Sequence, residues 1–545
     1  MTEDLKLPAG WKLVKLGEIA ERIKEVHPNG SQPYLEIGDI DIKSKRYTIK
    51  EKSSPEHCLK VRKNYIVISK VRPMRGAIAK IKEEYLYVSP ALLVLNSDNN
   101  DFLFYALSKE DFFNYLGTRE TGTTYPSVND RNVLDFEFLL PSISEQRKIA
   151  EILETVDETI KKTDLIIEKY KRIKQGLMQD LLTRGITAFE FEKDKLIAAI
   201  KKVFDSGDHR FGREENLVSH LSRHLNEFFP GWDVDSEVEK NNDRQRPDII
   251  IHKRRMDENF FAIEVKKNEN LNAIKQDIEK LEDVMLGDYH YEDAIFIGFD
   301  IENFEDVFKL SEKVNFILVS KNGEIKIKSR IREFRDSPLG KIPEEWEVVN
   351  IKNICKVRQG LQIAIANRFK ESGPKRYIYI TIQYLNSEEK DKDAEYIQNP
   401  PKSVLCGKND LLMTRTGNTG MVISDVEGVF HNNFFLVDYY KKQVNKIYLF
   451  YYLNLPWIQE EIKALAGTTT IPDLNHSDFY SLKFLKSPLS EQRRIAGVLF
   501  QMDETIEKEQ RYKEKLERIK QGLTEDLLTG EVRANHLIKE GVGSV

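Results

Sequence analysis

The chain has 545 residues, of which 32% are charged, and its net charge at pH 7 is −5. This length exceeds a single hydrophobic core and predicts about three to five domains. The near balance of acidic and basic residues excludes a generic polycation, so any nucleic-acid binding must come from local basic surfaces.

Neither a membrane span nor a secretory signal is indicated. No apolar run approaches the length needed to cross a bilayer, and the segment MTEDLKLPAGWKL lacks the basic start and apolar core of a signal peptide. The three cysteines, Cys58, Cys355 and Cys406, are scattered along the chain, which argues against a disulfide framework or a zinc cluster. The sequence therefore predicts a cytoplasmic protein.

The first part of the chain, residues 1–139, has the pattern of a mixed α/β module. Short β-rich runs such as YIVISKV precede a helical pattern, FLFYALSKEDFFNYL. The run SKVRPMRG places Lys70, Arg72 and Arg75 beside a glycine. Basic side chains at strand–loop edges suit phosphate contact and guanine recognition, which makes these three residues candidates for DNA binding. The alternative is ordinary solvated surface charge.

A long helix is predicted over residues 140–186. The run from SEQRKIAEILETVDETI to IKQGLMQDLLT contains no proline, and its apolar residues recur at spacings of three and four. These apolar positions are Ile149, Leu153, Val156, Ile160, Ile167 and Tyr170. At about 1.5 Å per residue the helix would span roughly 55 to 60 Å, longer than a globular domain needs. Such a length indicates a spacer.

The second half of the chain repeats the first. SEQRRIAGVLFQMDETI and ERIKQGLTEDLLT match the first helix almost residue for residue, and predict a second spacer helix over residues 487–535. Its apolar seam is Ile495, Leu499, Met502, Ile506, Leu516, Ile519, Leu523 and Leu527. Each seam either packs on its own module or, as we favour, on the other helix.

The repeat also includes the region upstream of each helix. Trp11 aligns with Trp346, and KNYIVISKVRPMRG aligns with KNDLLMTRTGNTGM, which places Arg415 at the position equivalent to Lys70. Arg415 is therefore a fourth candidate DNA-binding residue. A second α/β module is predicted over residues 342–486, with a linker at 329–341 and a tail at 536–545. The two modules keep one frame and differ in the segments expected to make contacts.

This arrangement resembles the DNA-specificity subunit of type I restriction-modification enzymes. The resemblance rests on an α/β module opening with Pro and Trp, a Gly-Thr-Thr turn, and a long helix that begins with SEQ and ends in the IKQGL-DLLT pattern, all present twice. The junction FRDSPLGKIPEEWEV is similar to the family's entry into its second module. Together these segments cover roughly residues 1–186 and 330–535.

The resemblance implies two target-recognition domains separated by two long antiparallel coiled-coil helices, each domain binding one half of a split duplex DNA site. It implies no cofactor for this chain. Methyltransferase subunits that carry S-adenosylmethionine would dock on the helices, and a separate motor subunit would supply ATP hydrolysis and cleavage. The chain agrees, since it has no phosphate-binding GxxxxGK[ST] loop, no GxGxxG and no Asn/Asp-Pro-Pro-aromatic motif.

The sequence departs from this family at residues 187–328, which we call the insert. Its pattern predicts an α/β domain with helix, three strands, helix and strand in that order; this resembles the core of PD-(D/E)xK nucleases, an α/β restriction-endonuclease-like fold. The predicted elements are, in chain order, the helix EENLVSHLSRHLNEFF, a strand near WDVDSEVE, the strands PDIIIHKR and FFAIEVKK, the helix NAIKQDIEKLEDVML, the strand DAIFIGF, the helix ENFEDVFKLSEK and the strand FILVS. The segment MDEN is predicted to turn between PDIIIHKR and FFAIEVKK.

The nuclease resemblance implies a metal site in the insert. Asp248 and Glu264 would bind Mg²⁺, and Lys266, on the same strand face as Glu264, would position or deprotonate the attacking water. A helix-borne acid, Glu214 or Glu215, would complete the site, and Gln276 would assist. The alternatives are a degenerate nuclease fold kept for DNA or protein contact, or an ordinary insert with solvated acids and lysines.

Two functions from different classes are considered, and we favour the first. The first is a DNA-recognition subunit of a type I-like complex. The second is an Mg²⁺-dependent DNA endonuclease in which the insert cuts DNA and the two modules direct it. A third possibility makes the insert a protein-interaction or autoregulatory module.

Overall fold

A computed structural model describes most of the chain. The described residues are 8–27, 33–49, 57–122, 124–207, 214–236, 247–253, 258–267, 270–286, 290–467 and 472–538. The chain divides into two compact units: residues 1–169 with 506–545, and residues 170–505. Among the described helices, none is long and apolar enough to cross a membrane.

The first unit contains the N-terminal α/β module. It has two four-stranded sheets. The strand order of the first sheet is Ala20–Arg22, Leu92–Ser97, Ile66–Ser69, Ile78–Lys80. The strand order of the second sheet is Val26–His27, Cys58–Arg62, Tyr85–Val88, Tyr34–Leu35. Two strand pairs complete it: Lys12–Lys15 with Glu137–Leu140, and Ile40–Asp41 with Arg46–Tyr47. Its helices are Leu16–Ile19, Asn100–Leu107, Glu110–Gly117 and Asp130–Leu134, and short 3₁₀ turns cover Ile37–Asp39 and Pro73–Arg75.

The second unit contains a module with the same central topology. One four-stranded sheet has the order Cys355–Gln359, Phe434–Tyr439, Leu411–Thr414, Val422–Ser424, which repeats the strand order of its counterpart in the first module. The strand order of the other sheet is Tyr396–Gln398, Arg376–Ile380, Gly428–Phe430, Leu405–Cys406. Two strand pairs complete the module: Glu347–Asn350 with Lys483–Lys486, and Phe334–Ser337 with Gly340–Pro343. The helices are Ile382–Asn386, Lys390–Asp393, Lys446–Leu453, Pro456–Ala466 and His476–Ser481; the 3₁₀ turns are Ile351–Asn353, Ile365–Asn367 and Lys402–Val404.

The repeated asparagines explain why corresponding helices begin at corresponding positions. The side chain of Asn99 accepts a hydrogen bond from Phe102 N, and Asn445 does the same for the equivalent helix. Asn129 and Asn475 cap another pair of equivalent helices, Asp130–Leu134 and His476–Ser481. An asparagine at this position satisfies an N–H group that the first helical turn leaves without a partner.

The two long helices are continuous and slightly shorter than the sequence predicts. They run from Ile143 to Arg184 and from Leu489 to Thr529, followed by a short 3₁₀ turn at Asn535–Leu537. In the first unit, Leu153 of the first helix and Leu527 of the second belong to one hydrophobic core with the N-terminal module. In the second unit the same is true of Leu181 and Leu499. Each seam therefore packs on a module and on the other helix.

One predicted seam position is wrong. Ile519 is 42% exposed, whereas Ile149, Leu153, Ile495 and Leu499 are buried. The straight α-helical period of 3.6 residues drifts away from a fixed three-and-four pattern over many turns, so a residue late in the helix can rotate off the buried face.

An Asp–Lys–Tyr cluster joins the helices in each unit. In the first unit Lys520 Nζ lies 2.7 Å from Asp157, and Tyr105 donates a hydrogen bond of 2.9 Å to the same carboxylate. The second unit repeats this with Lys174, Asp503 and Tyr451 at 2.6 Å for both contacts. Since Lys513 also pairs with Asp164 in the first unit, the partners run in opposite chain directions and the helices are antiparallel there.

A Glu–Trp–Arg cluster fixes each module to the start of its own long helix. Glu145 accepts hydrogen bonds from Trp11 Nε1 at 3.0 Å and from Arg533 at 2.8 and 2.9 Å. Glu491 accepts equivalent bonds from Trp346 Nε1 at 2.8 Å and from Arg332 at 2.8 and 2.9 Å. The glutamate of each SEQ motif is thus buried and fully paired.

The insert is a three-layer α/β/α domain inside the second unit. Its six-stranded sheet has the order Asp233–Ser236, Ile249–Lys253, Glu258–Lys267, Asp293–Phe299, Asn315–Val319, Ile325–Lys328. Helices Ala188–Asp205 and Glu214–Phe228 pack on one face, and helix Leu271–Leu286 packs on the other. A short helix covers Phe304–Phe308.

The insert differs from its predicted elements in three places. The helix Ala188–Asp205, whose start is capped by Thr187 and Glu190, and the edge strand Ile325–Lys328 were not predicted. The predicted helix ENFEDVFKLSEK is reduced to Phe304–Phe308. Of the predicted turn MDEN, Met256 and Asp257 lie outside the described residues, whereas Glu258 and Asn259 already belong to strand Glu258–Lys267.

The chain enters and leaves the insert at one place. Arg332 donates a hydrogen bond of 2.9 Å to the carbonyl of Arg184, and Ile186 N donates one of 2.8 Å to Glu491. Inside the insert, buried Asp293 accepts hydrogen bonds from Phe189 N near its start and from Arg330 near its end. These hydrogen bonds therefore hold the start and the end of the insert next to each other.

Candidate functional site

The four predicted DNA-binding residues lie in the segments that follow strands Ile66–Ser69 and Leu411–Thr414, which we call the tips of the two modules. Their environments differ. Lys70 Nζ is 3.3 Å from Asp130, and burial together with nearby Arg22 lowers the pKa of Lys70. Arg415 donates a hydrogen bond of 2.7 Å to Asp473. Lys70 is thus paired with the first residue of helix Asp130–Leu134, and Arg415 with a residue shortly before helix His476–Ser481. Both basic residues therefore have a structural role in addition to any contact with DNA.

Arg72 and Arg75 differ from Lys70 and Arg415. Arg75 is exposed, and the guanidinium carbon of Arg72 lies 5.4 Å from the ring centroid of Tyr125. Within the described part of the chain, no carboxylate lies within ion-pair distance of either arginine. Both guanidinium groups are therefore available to a phosphate or a base edge.

The insert brings Asp248, Glu264 and Lys266 to the same end of its central sheet. Asp248 precedes strand Ile249–Lys253, and its carboxylate accepts a 2.7 Å hydrogen bond from Val265 N on the neighbouring strand. Glu264 and Lys266 lie two residues apart, on the face that helix Leu271–Leu286 covers. Glu264 is 2% exposed.

Three further residues, two of them not predicted, complete the polar cluster. Lys266 Nζ lies 3.1 Å from both Glu214 and Asp277, and Lys280 Nζ lies 2.6 Å from Glu264 Oε1. Of the two predicted helix-borne acids, the structure brings Glu214 to the site, whereas Glu215 is exposed. Gln276 is also exposed, because its helix turns Asp277 and Lys280 toward the sheet.

Two buried carboxyl groups that lie close together determine the pKa values in this cluster. Burial, and next the neighbouring Asp248 carboxylate, raise the pKa of Glu264 to about 9. Burial also raises the pKa of Asp248. Burial alone would lower the pKa of Lys266, but its hydrogen bonds to Asp277 and Glu214 raise it overall. Without a further cation the site therefore favours a proton on one of the two carboxyl groups.

The donor set fits Mg²⁺ only through this carboxylate pair. Mg²⁺ commonly binds one or two carboxylates together with water and substrate phosphate, which Asp248 and Glu264 can supply. Among the described residues, no group of three His, Cys, Asp or Glu side chains has the geometry of a metal site. Lys280 is the cation that contacts Glu264 in this structure.

Two repeated α/β modules, each fixed to a long helix by the same polar clusters, define a duplicated two-module class of protein. The sequence profile of the type I restriction modification DNA specificity domain matches residues 8–171 and 343–518, together more than half of the chain. The chain therefore belongs to the family of that domain. The insert lies between the matched segments.

Individual relatives agree with this family over part of their length. The chain is 27% identical over 190 residues to the type I restriction enzyme MjaVIII specificity subunit of Methanocaldococcus jannaschii, a match that covers 35% of this chain and 43% of the relative. It is 28% identical over 198 residues to the MjaIX specificity subunit of the same organism, covering 34% and 44%. The matches thus span less than half the length of these relatives.

Solved structures also align with nearly the whole chain, but at low similarity. The S subunit of a type I restriction-modification system from M. genitalium aligns with 97% of this chain and 99% of its own, at 13% identity and a TM-score of 0.45.

Proposed function

We propose that this protein is the sequence-specific DNA-binding subunit of a type I-like restriction-modification complex. Residues 1–139 and 342–486 would each recognise one half of a bipartite duplex site. The observation that supports this most is the duplication itself: the two modules share the strand order of one four-stranded sheet, while their tips carry different side chains. A duplicated frame with divergent tips suits the recognition of two unlike half-sites.

The long helices, residues 140–186 and 487–535, are proposed to set the distance between the half-sites and to bind methyltransferase subunits. Apolar side chains remain exposed on both helices, among them Leu165, Phe500 and Tyr512. Exposed apolar groups on otherwise charged helices favour protein contact. S-adenosylmethionine and ATP would then be bound by partner subunits, including a possible motor subunit, and this chain would need no cofactor.

A selection experiment tests the recognition function. The full chain is incubated with duplexes that carry two randomised segments separated by spacers of different lengths, and the bound duplexes are sequenced. We expect enrichment of two short motifs at one preferred separation. Binding without any sequence preference, or recognition of a single continuous motif, would contradict the proposal.

A variant that joins Ile186 directly to Arg332 is the matched control for the insert. Because both residues already meet at Glu491, the deletion should leave the second module folded. We expect this variant to enrich the same two motifs at the same separation.

A second function is favoured by one specific observation in the insert. Asp248, Glu264 and Lys266 lie at one end of the insert's sheet, on two neighbouring strands, and Glu214 from helix Glu214–Phe228 contacts the lysine. We propose on this basis that residues 187–328 form a PD-(D/E)xK-type domain that cuts DNA. Asp248 and Glu264 would hold Mg²⁺, which when bound would stabilise charge on the phosphate. Lys266 would orient the attacking water, while Glu214 and Asp277 keep its ammonium in place.

Cleavage of supercoiled plasmid DNA by the full chain tests the nuclease proposal. We expect cleavage in Mg²⁺ and none in EDTA, and we expect Asp248→Ala and Lys266→Ala each to abolish it. Gln276→Ala, an exposed residue on the neighbouring helix, is the control and should retain full activity. Absence of cleavage by the unmodified chain, or full activity in Asp248→Ala, would reject the nuclease function and leave DNA recognition unaffected.

A further inference from the structure

The tip of the first module is built from two loops joined through their backbones. Arg72 N donates a hydrogen bond of 2.7 Å to Pro126 O, and Val128 N donates one of 3.0 Å to Lys70 O. Between them, Val71 and Ser127 form an isolated antiparallel bridge. The loop conformation at Arg72 is thus fixed from both sides.

The second module has equivalent backbone hydrogen bonds at its own tip. Gly417 N donates to Pro472 O at 3.2 Å, and Leu474 N donates to Arg415 O at 2.8 Å. Thr416 and Asp473 form the equivalent bridge. Arg72 and Gly417 therefore occupy the same position in the same backbone frame.

This shared position requires a left-handed backbone, which the two modules meet in different ways. The φ angle is 86° at Gly417 and 47° at Arg72. A glycine adopts this region freely, whereas a residue with a Cβ atom is strained there. At this position the first module therefore has an arginine, Arg72, whereas the second module has a glycine, Gly417, which adopts the left-handed backbone without strain. Strain of this kind at a surface loop points to a role for the side chain.

The surroundings of Arg72 match a role in contact rather than in folding. Its guanidinium faces the ring of Tyr125, which is 71% exposed, and within the described residues no carboxylate pairs with it. Contact with an aromatic face holds a guanidinium in one orientation while its N–H groups stay available at the edge. Lys70, two residues earlier, is by contrast paired with Asp130.

We propose that Arg72, supported by Tyr125, recognises a guanine in the half-site bound by the first module. The parallel donors of a guanidinium match O6 and N7 of guanine in the major groove. Gly417 offers no side chain at the same place, so the second module has no equivalent guanine contact. The different residues at this one left-handed position thus make the two modules differ in the bases that they recognise. This inference rests on the proposed DNA-recognition function.

The test uses the full chain and the pool of duplexes with two randomised segments. We expect Arg72→Gly to lose the preference for guanine at one position of one half-site, with binding to the enriched duplex weakened about 10-fold or more. The other half-site should be unchanged. The thermal midpoint should not fall, because glycine accepts the backbone conformation.

Two further variants separate base recognition from phosphate contact. Arg72→Lys keeps the positive charge but not the paired donors, and should lose the guanine preference as well. Arg131→Ala removes a charged side chain that is 90% exposed on helix Asp130–Leu134, and should leave the base preference intact. An Arg72→Gly variant that weakens binding equally for all sequences would assign Arg72 to a phosphate and overturn the inference, as would an unchanged preference. If the unmodified chain enriches no sequence, the proposed function fails together with it.

Discussion

Replacing Glu491 by alanine is expected to lower the free energy of unfolding by about 3 to 5 kcal/mol. Glu491 is 2% exposed and accepts hydrogen bonds from the Trp346 indole, the Arg332 guanidinium and the backbone of Ile186. Its loss would leave a mostly buried guanidinium and a buried indole N–H without their main partner. Chemical denaturation of the second unit measures the effect.

Glu345→Ala is the matched control for this variant. Glu345 contacts the same Arg332 but is 42% exposed, and Arg332 keeps Glu491 when it is removed. A partly exposed pair contributes at most about 1 kcal/mol. Equal destabilisation by the two variants would show that burial of Glu491 does not matter and would contradict the expected role of the Glu–Trp–Arg cluster.

The second large effect is expected at the helix seam. Leu499→Asp removes a fully buried side chain and places a carboxylate in the core of the second unit. Loss of the leucine alone costs about 2 to 5 kcal/mol, and burial of the carboxyl group adds to it. We expect unfolding of the second module at lower denaturant concentration, and loss of the single preferred separation between half-sites in the selection experiment.

The neighbouring residue provides the control for the seam. Phe500 is 48% exposed on the same helix, so Phe500→Asp should change the stability little. The same variant should weaken binding of a methyltransferase subunit if the exposed apolar side chains form its docking surface. A preferred separation that survives Leu499→Asp would argue against the helices as the element that sets the gap.

The repeat made most of the scaffold predictable. Aligning Trp11 with Trp346 and the two SEQ motifs predicted two equivalent modules and helices, and the structure connects these same residues through Glu145 and Glu491. Arg533 and Arg332, which contact these two glutamates, were not predictable. Each arginine lies far in sequence from its glutamate, in a segment that carries no periodic pattern.

The candidate site in the insert was predictable only along its strands. The alternation of a strand fixes Glu264 and Lys266 on one face whatever surrounds them. The contributions of Asp277 and Lys280 depend on the rotation of a helix whose charged residues occupy several faces, and for this reason Gln276 was predicted in their place. Likewise, the strain at Arg72 has no sequence signature until Gly417 is seen to share its backbone frame.

The salt bridge between Arg533 and Glu145 also sets an order of events during synthesis. The two residues are 388 positions apart in the chain, and Leu527, Leu528 and Ala534 belong to the same core as Trp11. At roughly 5 to 20 residues per second, a ribosome needs about 20 to 80 s to make the intervening chain. The first module to emerge is therefore the one that has to wait longest for its hydrophobic core to be completed, and a nascent chain carries that exposed apolar surface through most of its translation.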